Sequence, residues 1–415
     1  MINFVPIAAR ACTVRRGLSV LAAALACCAL SGVGAAGAGA AALIRVEPAF
    51  SAADGSVLAG VSCPSAHACS AVGEYYNKGA SGLAPLAEQW NGHHWTIQRP
   101  PDPAGAEESF LTSVSCHPAP TCMAVGYYFN RSGEVPLAER WNGRRWAIQR
   151  TPSPPAAQLT VLDGVACVSA AVCIAVGYYD NGSDIAIPIW ERWNGHRWGM
   201  QRAASAGRYG SFLYAVSCPT ATSCSAAGQY LNGADTGLTL AEHWNGRHWK
   251  TQPTPVPSGA TQSYLAAIAC QSATACTAVG SYLNGSSVDM TLAEHWNGRH
   301  WELLTAADPV GATESALTAI ACHAVADCIA VGYYTSSADA GLTLAEHWNG
   351  HHWSIQNMPT VTGGTAGVLD GVRCPSASSC TAVGKYLDSA KVRKTLAEYW
   401  NGQHWKIEST PNPAS

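Results

Sequence analysis

Charged side chains are scarce in this sequence. They make up 12% of its 415 residues, which is about half the usual share for a globular protein. So little charge argues against a disordered chain, a coiled coil and an ordinary helical cytosolic enzyme. The sequence instead contains 40 Gly, 23 Pro and 15 Trp, a composition that fits a β-rich secreted protein better.

Long hydrophobic runs are confined to the amino-terminal region, so no later segment is expected to span a membrane. Residues 1–40 contain three Arg and no acid, a short apolar stretch from Leu18 to Leu30, and small residues ending at Ala40. This layout is typical of an export signal. We assign residues 1–42 to a cleaved signal and residues 43–56 to a lead-in strand. The protein is therefore expected outside the cell or in the cell envelope.

Details of this signal leave alternatives open. The pair Arg15-Arg16 before the apolar stretch hints at twin-arginine export. Cys27 also permits a lipoprotein interpretation, and an uncleaved anchor is another alternative.

Basic side chains are few as well. Without the signal the chain keeps 21 basic and 27 acidic side chains, a net charge of −6. No basic stripe is present, so we expect no nucleic-acid partner.

Phosphate loops and the HExxH and GxSxG motifs are missing from the sequence too, which lowers the expectation of catalysis. No cofactor is predicted, and the mature chain is expected to be monomeric.

Cysteines reveal an internal repeat. After the signal, fourteen of them form seven pairs with a constant spacing of six residues, and the pairs recur every 51 to 53 residues. The pairs are Cys63/Cys69, Cys116/Cys122, Cys167/Cys173, Cys218/Cys224, Cys270/Cys276, Cys322/Cys328 and Cys374/Cys380. In an exported chain such pairs favour disulfides. Zinc is the alternative, but two thiolates per repeat with no histidine at a fixed offset leave a site two ligands short. We therefore predict one disulfide per repeat and no metal.

The motif WNGxxW repeats in phase with the cysteines, beginning at Trp90 in the first copy. The consensus reads LxxVxC, five residues, CxAVGxY, a variable loop and LAExWNGxxWxIQ. Its four short segments are rich in strand formers and separated by turn residues. The predicted fold is all-β: a seven-bladed β-propeller of four-stranded antiparallel blades, with repeats of about 52 residues over 57–415. An open solenoid is the alternative.

Residue alternation predicts how the blades pack. Cys69, Ala71, Gly73 and Tyr75 share one face of the second strand, while the two Trp of each copy share a face of the outer hairpin. We expect these aromatic faces to pack against the Ala/Gly faces of the next blade. Asn-Gly in the WNG turn is expected to supply positive φ values.

A glutamate of LAExW occurs in every copy. Acid/base catalysis needs one asymmetric site, so a residue that recurs seven times suggests a structural acceptor for indole or backbone donors between blades. The seven are Glu88, Glu139, Glu191, Glu242, Glu294, Glu346 and Glu398.

A tyrosine follows the AVG segment, or AAG in the fourth copy, and we expect the seven phenols to form a ring around the channel. They are Tyr75, Tyr128, Tyr179, Tyr230, Tyr282, Tyr334 and Tyr386. Packing between blades is one interpretation, and a stacking surface for sugars or aromatic ligands is the other. Tyr127, Tyr178, Asp180 and Tyr333 complete the candidate ligand-binding residues. They precede or begin the second-to-third loops, which vary between copies and can carry specificity on a rigid scaffold.

The order LxxVxC, AVG, NG, W resembles the repeat of propellers with Asp-box-type turns, such as sialidase-like and photosystem-assembly-factor-like proteins, over residues 57–408. Those turns read S-x-D-x-G-x-T-W, whereas this chain has W-N-G-x-x-W and an added disulfide. The arginine set that sialidases need has no counterpart, so the resemblance implies the blade layout without that chemistry.

The sequence thus favours an exported, non-catalytic propeller that recognises an extracellular glycan or protein. A lyase or hydrolase of polysaccharides or small molecules, with a site at the channel mouth, is the rival hypothesis. A purely structural role in the cell envelope is a third.

Overall fold

The computed structural model describes residues 55–79, 82–117, 120–155, 157–180, 182–183, 185–204, 206–338 and 341–413. The predicted signal and the strand-like segment at residues 43–46 lie outside these residues. The described part of the chain forms 28 β-strands and no helix. Helices capable of spanning a membrane are accordingly not found in it.

Four consecutive strands build each blade, and they pair antiparallel in chain order. The first, innermost strands are β1 (Ser56–Ser65), β5 (Glu108–Cys116), β9 (Leu159–Ser169), β13 (Ser211–Thr220), β17 (Gln262–Ser272), β21 (Ala312–Ala324) and β25 (Ala366–Ser376). The second strands are β2 (Ala68–Asn77), β6 (Cys122–Asn130), β10 (Val172–Asp180), β14 (Ser223–Leu231), β18 (Ala275–Leu283), β22 (Asp327–Ser336) and β26 (Ser379–Leu387).

The outer half of each blade is a hairpin. The third strands are β3 (Gly82–Trp90), β7 (Gly133–Trp141), β11 (Ala186–Trp193), β15 (Gly237–Trp244), β19 (Asp289–Trp296), β23 (Gly341–Trp348) and β27 (Arg393–Trp400). The fourth strands are β4 (Trp95–Gln98), β8 (Trp146–Gln149), β12 (Trp198–Arg202), β16 (Trp249–Gln252), β20 (Trp301–Leu304), β24 (Trp353–Ile355) and β28 (Trp405–Glu408). Blades one to seven are numbered in this order.

The seven blades close into a ring. The first strand of every blade contacts the first strands of both neighbours, and β1 contacts β25 in the same way. Gly55 forms a parallel bridge with Arg393 of blade seven, and Val383 and Ala397 of that blade belong to the hydrophobic cluster of blade one. No strand is exchanged across this seam among the described residues. The protein is a seven-bladed β-propeller.

The packing between blades differs in one respect from the prediction. The indole of Trp95 shares its face with Ala71, and both pack against Val383 and Ala397 of the preceding blade. Equivalent pairs, such as Val72 and Ala87 against blade two, recur at the other seams, except that Trp190 replaces the alanine in blade three and Ala227 replaces the valine in blade four. The aromatic face of a blade therefore packs mainly against the Val of AVG and the Ala of LAE in the preceding blade. The prediction that it packs against the Ala and Gly face of the second strand is wrong.

The glycine of AVG allows the first two strands of its own blade to lie close together. A Cβ at Gly73 would lie 2.0 Å from the carbonyl oxygen of Val57 on the first strand of the same blade. The register there shifts between Leu58 and Gly60, so β1 has a bulge that brings its backbone close to β2. Glycine is required at this close approach.

The predicted disulfides are confirmed in all seven blades. Their S–S distances are 2.02 to 2.08 Å, and each bridge joins cysteines six residues apart. Each bridge links the end of the first strand to the start of the second. Bridges of this kind indicate an oxidising compartment outside the cytoplasm.

The second cysteine of these bridges lies deep in the core. Cys224 and Cys276 have no exposed surface, and Cys328 and Cys380 are each 1% exposed. Each one packs in the hydrophobic cluster formed by its own blade and the preceding one. A bridged sulfur that is closed off from solvent can contact neither a ligand nor a metal ion, so these four cysteines have the structural role that the disulfide prediction gives them. They belong to the structural core.

The WNG turn closes on four residues, because Trp90 pairs with Trp95. Gly92 has a φ of 93°, but Asn91 does not have a positive φ, contrary to the prediction. The Asn91 side chain instead accepts hydrogen bonds from the backbone N–H groups of His93 and His94, both at 3.0 Å. The asparagine thus stabilises the turn through its side chain, and the glycine supplies the unusual backbone conformation.

Candidate functional site

The seven predicted ring tyrosines lie in the seams between blades. Each one packs on the hydrophobic cluster formed by its own blade and the preceding one. Tyr179 is the most buried of them, with 5% of its surface exposed. Because each phenol belongs to a different seam, this placement favours the packing interpretation over one continuous stacking surface.

Tyr127, Tyr178 and Tyr333 lie on the other face of the second strand, one residue before the ring tyrosines. Tyr127 stacks on Phe110, with ring centroids 5.0 Å apart. Tyr178 meets Phe212 of the next blade edge-on at 4.8 Å. Tyr333 is almost completely buried with Ala316 and Val368. These aromatic side chains therefore face the next blade near the loop end of the ring.

Tyr178 lies within a cluster of acidic and phenolic groups contributed by blades two to four. Burial raises the pKa of its phenol well above the usual range, and Asp163, Tyr214, Glu134 and Tyr127 add to the shift. Burial also raises the pKa of Glu134 to about 7. We call Tyr127, Glu134, Asp163, Tyr178 and Tyr214 the mouth cluster, because they lie toward the variable loops and two of them are on innermost strands.

Sequence reasoning missed three of these five residues. Asp163 and Tyr214 follow the Leu of LxxVxC, where the first-strand bulge occurs. The sequence does mark this position, because its side chain differs in chemistry between copies. The other copies have Ala59, Thr112, Ala266, Thr318 and Asp370 there. Glu134 begins the third strand of blade two.

A second group of acids lies between blades five and six. Asp289 is 8% exposed and accepts a hydrogen bond from Ser281 at 3.3 Å; burial raises its pKa to about 6. Burial and the charge of Asp289 raise the pKa of Glu314 to about 7, while a hydrogen bond from Tyr333 opposes the shift. The charge of Asp289 thus acts on Glu314 across the seam, and burial raises the pKa of both carboxyls.

Asp180, one of the candidate ligand-binding residues, stabilises its own turn. Asp180 Oδ1 accepts the backbone N–H of Gly182 at 2.8 Å. The same contact, two residues on, recurs at five other loop positions: Asn77, Asn130, Asn232, Asn284 and Asp388. These residues shape the loops.

Three lysines of blade seven, Lys385, Lys391 and Lys394, have partners within their own blade. Lys385 and Asp370 form an ion pair at 3.2 Å, and their side chains are only 8% and 6% exposed. Lys394 lies 3.9 Å from Asp388, and Lys391 donates to the hydroxyl of Thr365 at 3.2 Å. This blade therefore does not present a simple cationic surface.

The seven repeated glutamates are fully buried. Burial raises their pKa values to about 8, or to about 9 for Glu139. Glu242 and Glu346 accept backbone N–H groups of Ala204 and Ala307 at 3.2 and 3.0 Å. Among the described residues, two indole N–H groups of fourth strands have a partner: Trp301 donates to Gln252 and Trp95 donates to Glu408. Backbone donors were predicted correctly for two copies, and indole donors were not.

Thr239, Thr291 and Thr343 of the preceding blades oppose the rise in the pKa values of Glu294, Glu346 and Glu398. The equivalent residues facing Glu139 and Glu191 are Pro85 and Pro136, which carry no hydroxyl. Both carboxyl oxygens have no hydrogen-bond partner among the described residues in five of the seven glutamates: Glu88, Glu139, Glu191, Glu294 and Glu398. All seven acids sit in equivalent seams, which supports a structural role.

One seam is unlike the others. Trp190 occupies the LAE alanine position in blade three and is 3% exposed. Its ring lies 4.8 Å from that of Trp244 and 6.0 Å from that of Trp249, both of blade four. The indole of Trp190 thus packs against the aromatic face of blade four, as a gap-filling side chain would.

Groups of three or more His, Cys, Asp or Glu side chains arranged to hold a metal ion are not found in the described part of the chain.

Comparisons with known proteins establish the fold. The BP39L lectin from Burkholderia pseudomallei is similar over 87% of this chain and 99% of its own, with a TM-score of 0.51 and 13% identity. The β-propeller domain of the trilobed protease from Pyrococcus furiosus, described as having an open velcro topology, is similar over 85% and 98%, with a TM-score of 0.50 and 8% identity. YCF48 bound to a D1 peptide is similar over 80% and 91%, with a TM-score of 0.44 and 12% identity.

No protein-family model matches the sequence, and no curated protein matches it either. At these low identities the structural likenesses show the propeller fold alone. The Asp-box type of repeat stays an expectation from the turn positions.

Proposed function

We propose that this protein is an exported, non-catalytic propeller that recognises an extracellular glycan at the mouth of its ring. The observation that carries the proposal is the mouth cluster, which combines aromatic rings with carboxyl groups at the loop end of three adjacent blades. Sugar rings offer C–H faces that stack on aromatic side chains and hydroxyls that hydrogen-bond to carboxyl groups. The cluster contains both kinds of partner within one part of the ring.

The aromatic side chains here are held in defined positions. Phe129 meets Phe110 and Tyr127 nearly edge-on, at 6.0 and 5.8 Å, and Phe212 stacks on Tyr214 at 6.3 Å. Their backbones belong to strands of disulfide-bridged blades. A binding surface built on such strands loses little conformational entropy when a ligand binds, which favours affinity.

The direct test is binding of the mature protein to an array of extracellular glycans. Tyr127→Ala and Asp163→Asn should each weaken binding, because they remove a stacking ring and a charged acceptor. Tyr399→Ala is the control, since it removes the same kind of ring from the outer hairpin of blade seven. Absence of binding to any glycan would contradict the proposal, and capture of a partner that persists after its glycans are removed would replace glycan recognition with protein recognition.

A hydrolase or lyase is the second candidate, and the neighbouring buried acids Asp289 and Glu314 favour it. A carboxyl that is protonated near neutrality beside one that is ionised can act as a general acid with a base. Turnover in a screen of polysaccharides, lost in Glu314→Gln while the variant stays folded, would establish this activity. Failure to detect turnover between pH 5 and pH 8 would reject it.

A further inference from the structure

A cleft of about 440 Å³ lies at the seam between blades three and four. Trp190, Arg192, Arg197 and Gly199 of blade three line it together with Trp244 of blade four. Its volume is within the range of about 300 to 1,000 Å³ that small-molecule sites occupy. Asn194 and Gly246 of the WNG turns also line it, so it lies away from the variable loops and is distinct from the mouth cluster.

The cleft owes its shape to two residues that occur in this copy only. Trp190 replaces an alanine found in the six other copies, and Gly199 replaces Thr96, Ala147, Lys250, Glu302, Ser354 or Lys406. Gly199 pairs directly with Arg192 across β11 and β12. A Cβ at Gly199 would meet nothing within 4 Å. The missing side chain therefore leaves open space beside the guanidinium, where the other copies place additional atoms.

The walls are aromatic and cationic. Arg192 and Arg197 are exposed, and neither guanidinium has an ion-pair or hydrogen-bond partner among the residues that the structure describes. No acidic side chain lines the cleft. Trp244 is half-buried, with the buried Trp190 ring behind it at 4.8 Å. An indole face next to two unpaired guanidinium groups suits a ligand that carries both a ring and a negative charge.

We propose that this cleft binds one carboxylated sugar unit, such as a uronate, per chain. The guanidinium fork of Arg192 or Arg197 pairs with the carboxylate in bidentate fashion. The pyranose ring stacks on Trp244, which Trp190 holds in place. Because Trp190 occurs once, the predicted stoichiometry is one ligand per seven blades.

Blade two supplies a matched control. Arg140 and Arg145 occupy the positions of Arg192 and Arg197 there, but Ala138 stands in place of Trp190 and Ala147 in place of Gly199. The same pair of charges is thus present without the indole and without the missing side chain. Removing charge from blade two should leave the site in blade three intact.

Titration calorimetry with a short glucuronate oligomer, the matching glucose oligomer and acetate tests the proposal. The glucuronate oligomer should bind with a stoichiometry of one, and Arg192→Gln combined with Arg197→Gln should weaken it by at least about ten-fold. Gly199→Thr, which restores the residue of blade one and fills the cleft, should weaken binding without loss of stability. Arg145→Gln should bind like the unmodified protein.

Several results would overturn the proposal. They are equal binding of the glucose oligomer, equal binding of acetate, no detectable glucuronate binding, or an effect of Arg145→Gln as large as that of the double variant. Tyr127→Ala, which alters the mouth cluster, should not affect glucuronate binding. Failure of this site and failure of the proposed function are therefore distinguishable.

Discussion

Trp95 of blade one donates its indole N–H to Oε2 of Glu408 in blade seven, at 3.2 Å. The two residues are 313 positions apart in the chain. Trp301 of blade five makes the same contact with Gln252 of blade four, at 3.0 Å. Among the described residues, the seam between blades seven and one is thus built like an internal seam, as closure of the ring requires.

Substitution of the AVG glycine should strongly destabilise a blade. In Gly126→Ala the new methyl group would lie 2.0 Å from the carbonyl oxygen of Phe110, so the first two strands would have to separate. We expect a loss of more than about 3 kcal/mol in the free energy of unfolding, measured by urea denaturation. Gly199→Ala is the control and should be nearly neutral, since nothing lies within 4 Å of its Cβ. A neutral Gly126→Ala would show that the two strands are not so close.

Stability should depend on pH through the buried glutamates. The pKa of Glu139 rises from 4.5 to about 9 on burial, so between these values the folded state binds more protons than the unfolded state. The free energy of unfolding should therefore fall as pH rises through this window. Glu139→Gln removes the titrating group.

We expect the stability of Glu139→Gln relative to the unmodified protein to increase by more than about 2 kcal/mol between pH 5 and pH 8. Denaturant unfolding at both pH values measures this difference. Glu107→Gln alters an exposed carboxyl and should show no such trend. A constant difference for Glu139→Gln would mean that its carboxyl is ionised in the folded protein.

Each disulfide should stabilise its blade modestly, because it closes a short loop. Cys116→Ala combined with Cys122→Ala should lower the free energy of unfolding by about 2 kcal/mol on chain-entropy grounds. Peptide mapping of the non-reduced protein should recover Cys116 linked to Cys122 and the six equivalent pairs. Bridges between different blades would contradict the structure.

The repeat explains what could be predicted from sequence. The cysteine spacing, the four strands and the blade count are local features that recur seven times, so each copy supports the others. The alternation of side chains along a strand also predicted correctly which face of its strand Ala71 and Trp95 each occupy. It could not tell which residues of the neighbouring blade they meet, because that depends on how twisted sheets stack around a ring.

The mouth cluster was only partly predictable for the same reason. Tyr127 and Tyr178 precede a recurring tyrosine and were identified with it, whereas Asp163 and Tyr214 occupy a bulge that no short motif marks. They lie near Tyr178 because three blades converge at the channel. The cleft beside Trp190 depends likewise on a missing side chain at Gly199, and an unusual residue in the sequence does not reveal the space next to it.

Closure of the ring is the central claim, and a pair of substitutions tests it directly. Ala345 and Ala397 are both fully buried and occupy the same position in blades six and seven. Ala345 packs against the next blade along the chain, and Ala397 packs against blade one. In a closed ring, Ala345→Asp and Ala397→Asp should each lower the free energy of unfolding by about 3 to 5 kcal/mol, because each buries an unpaired charge. In an open array Ala397 would face solvent, so a harmless Ala397→Asp beside a damaging Ala345→Asp would contradict closure.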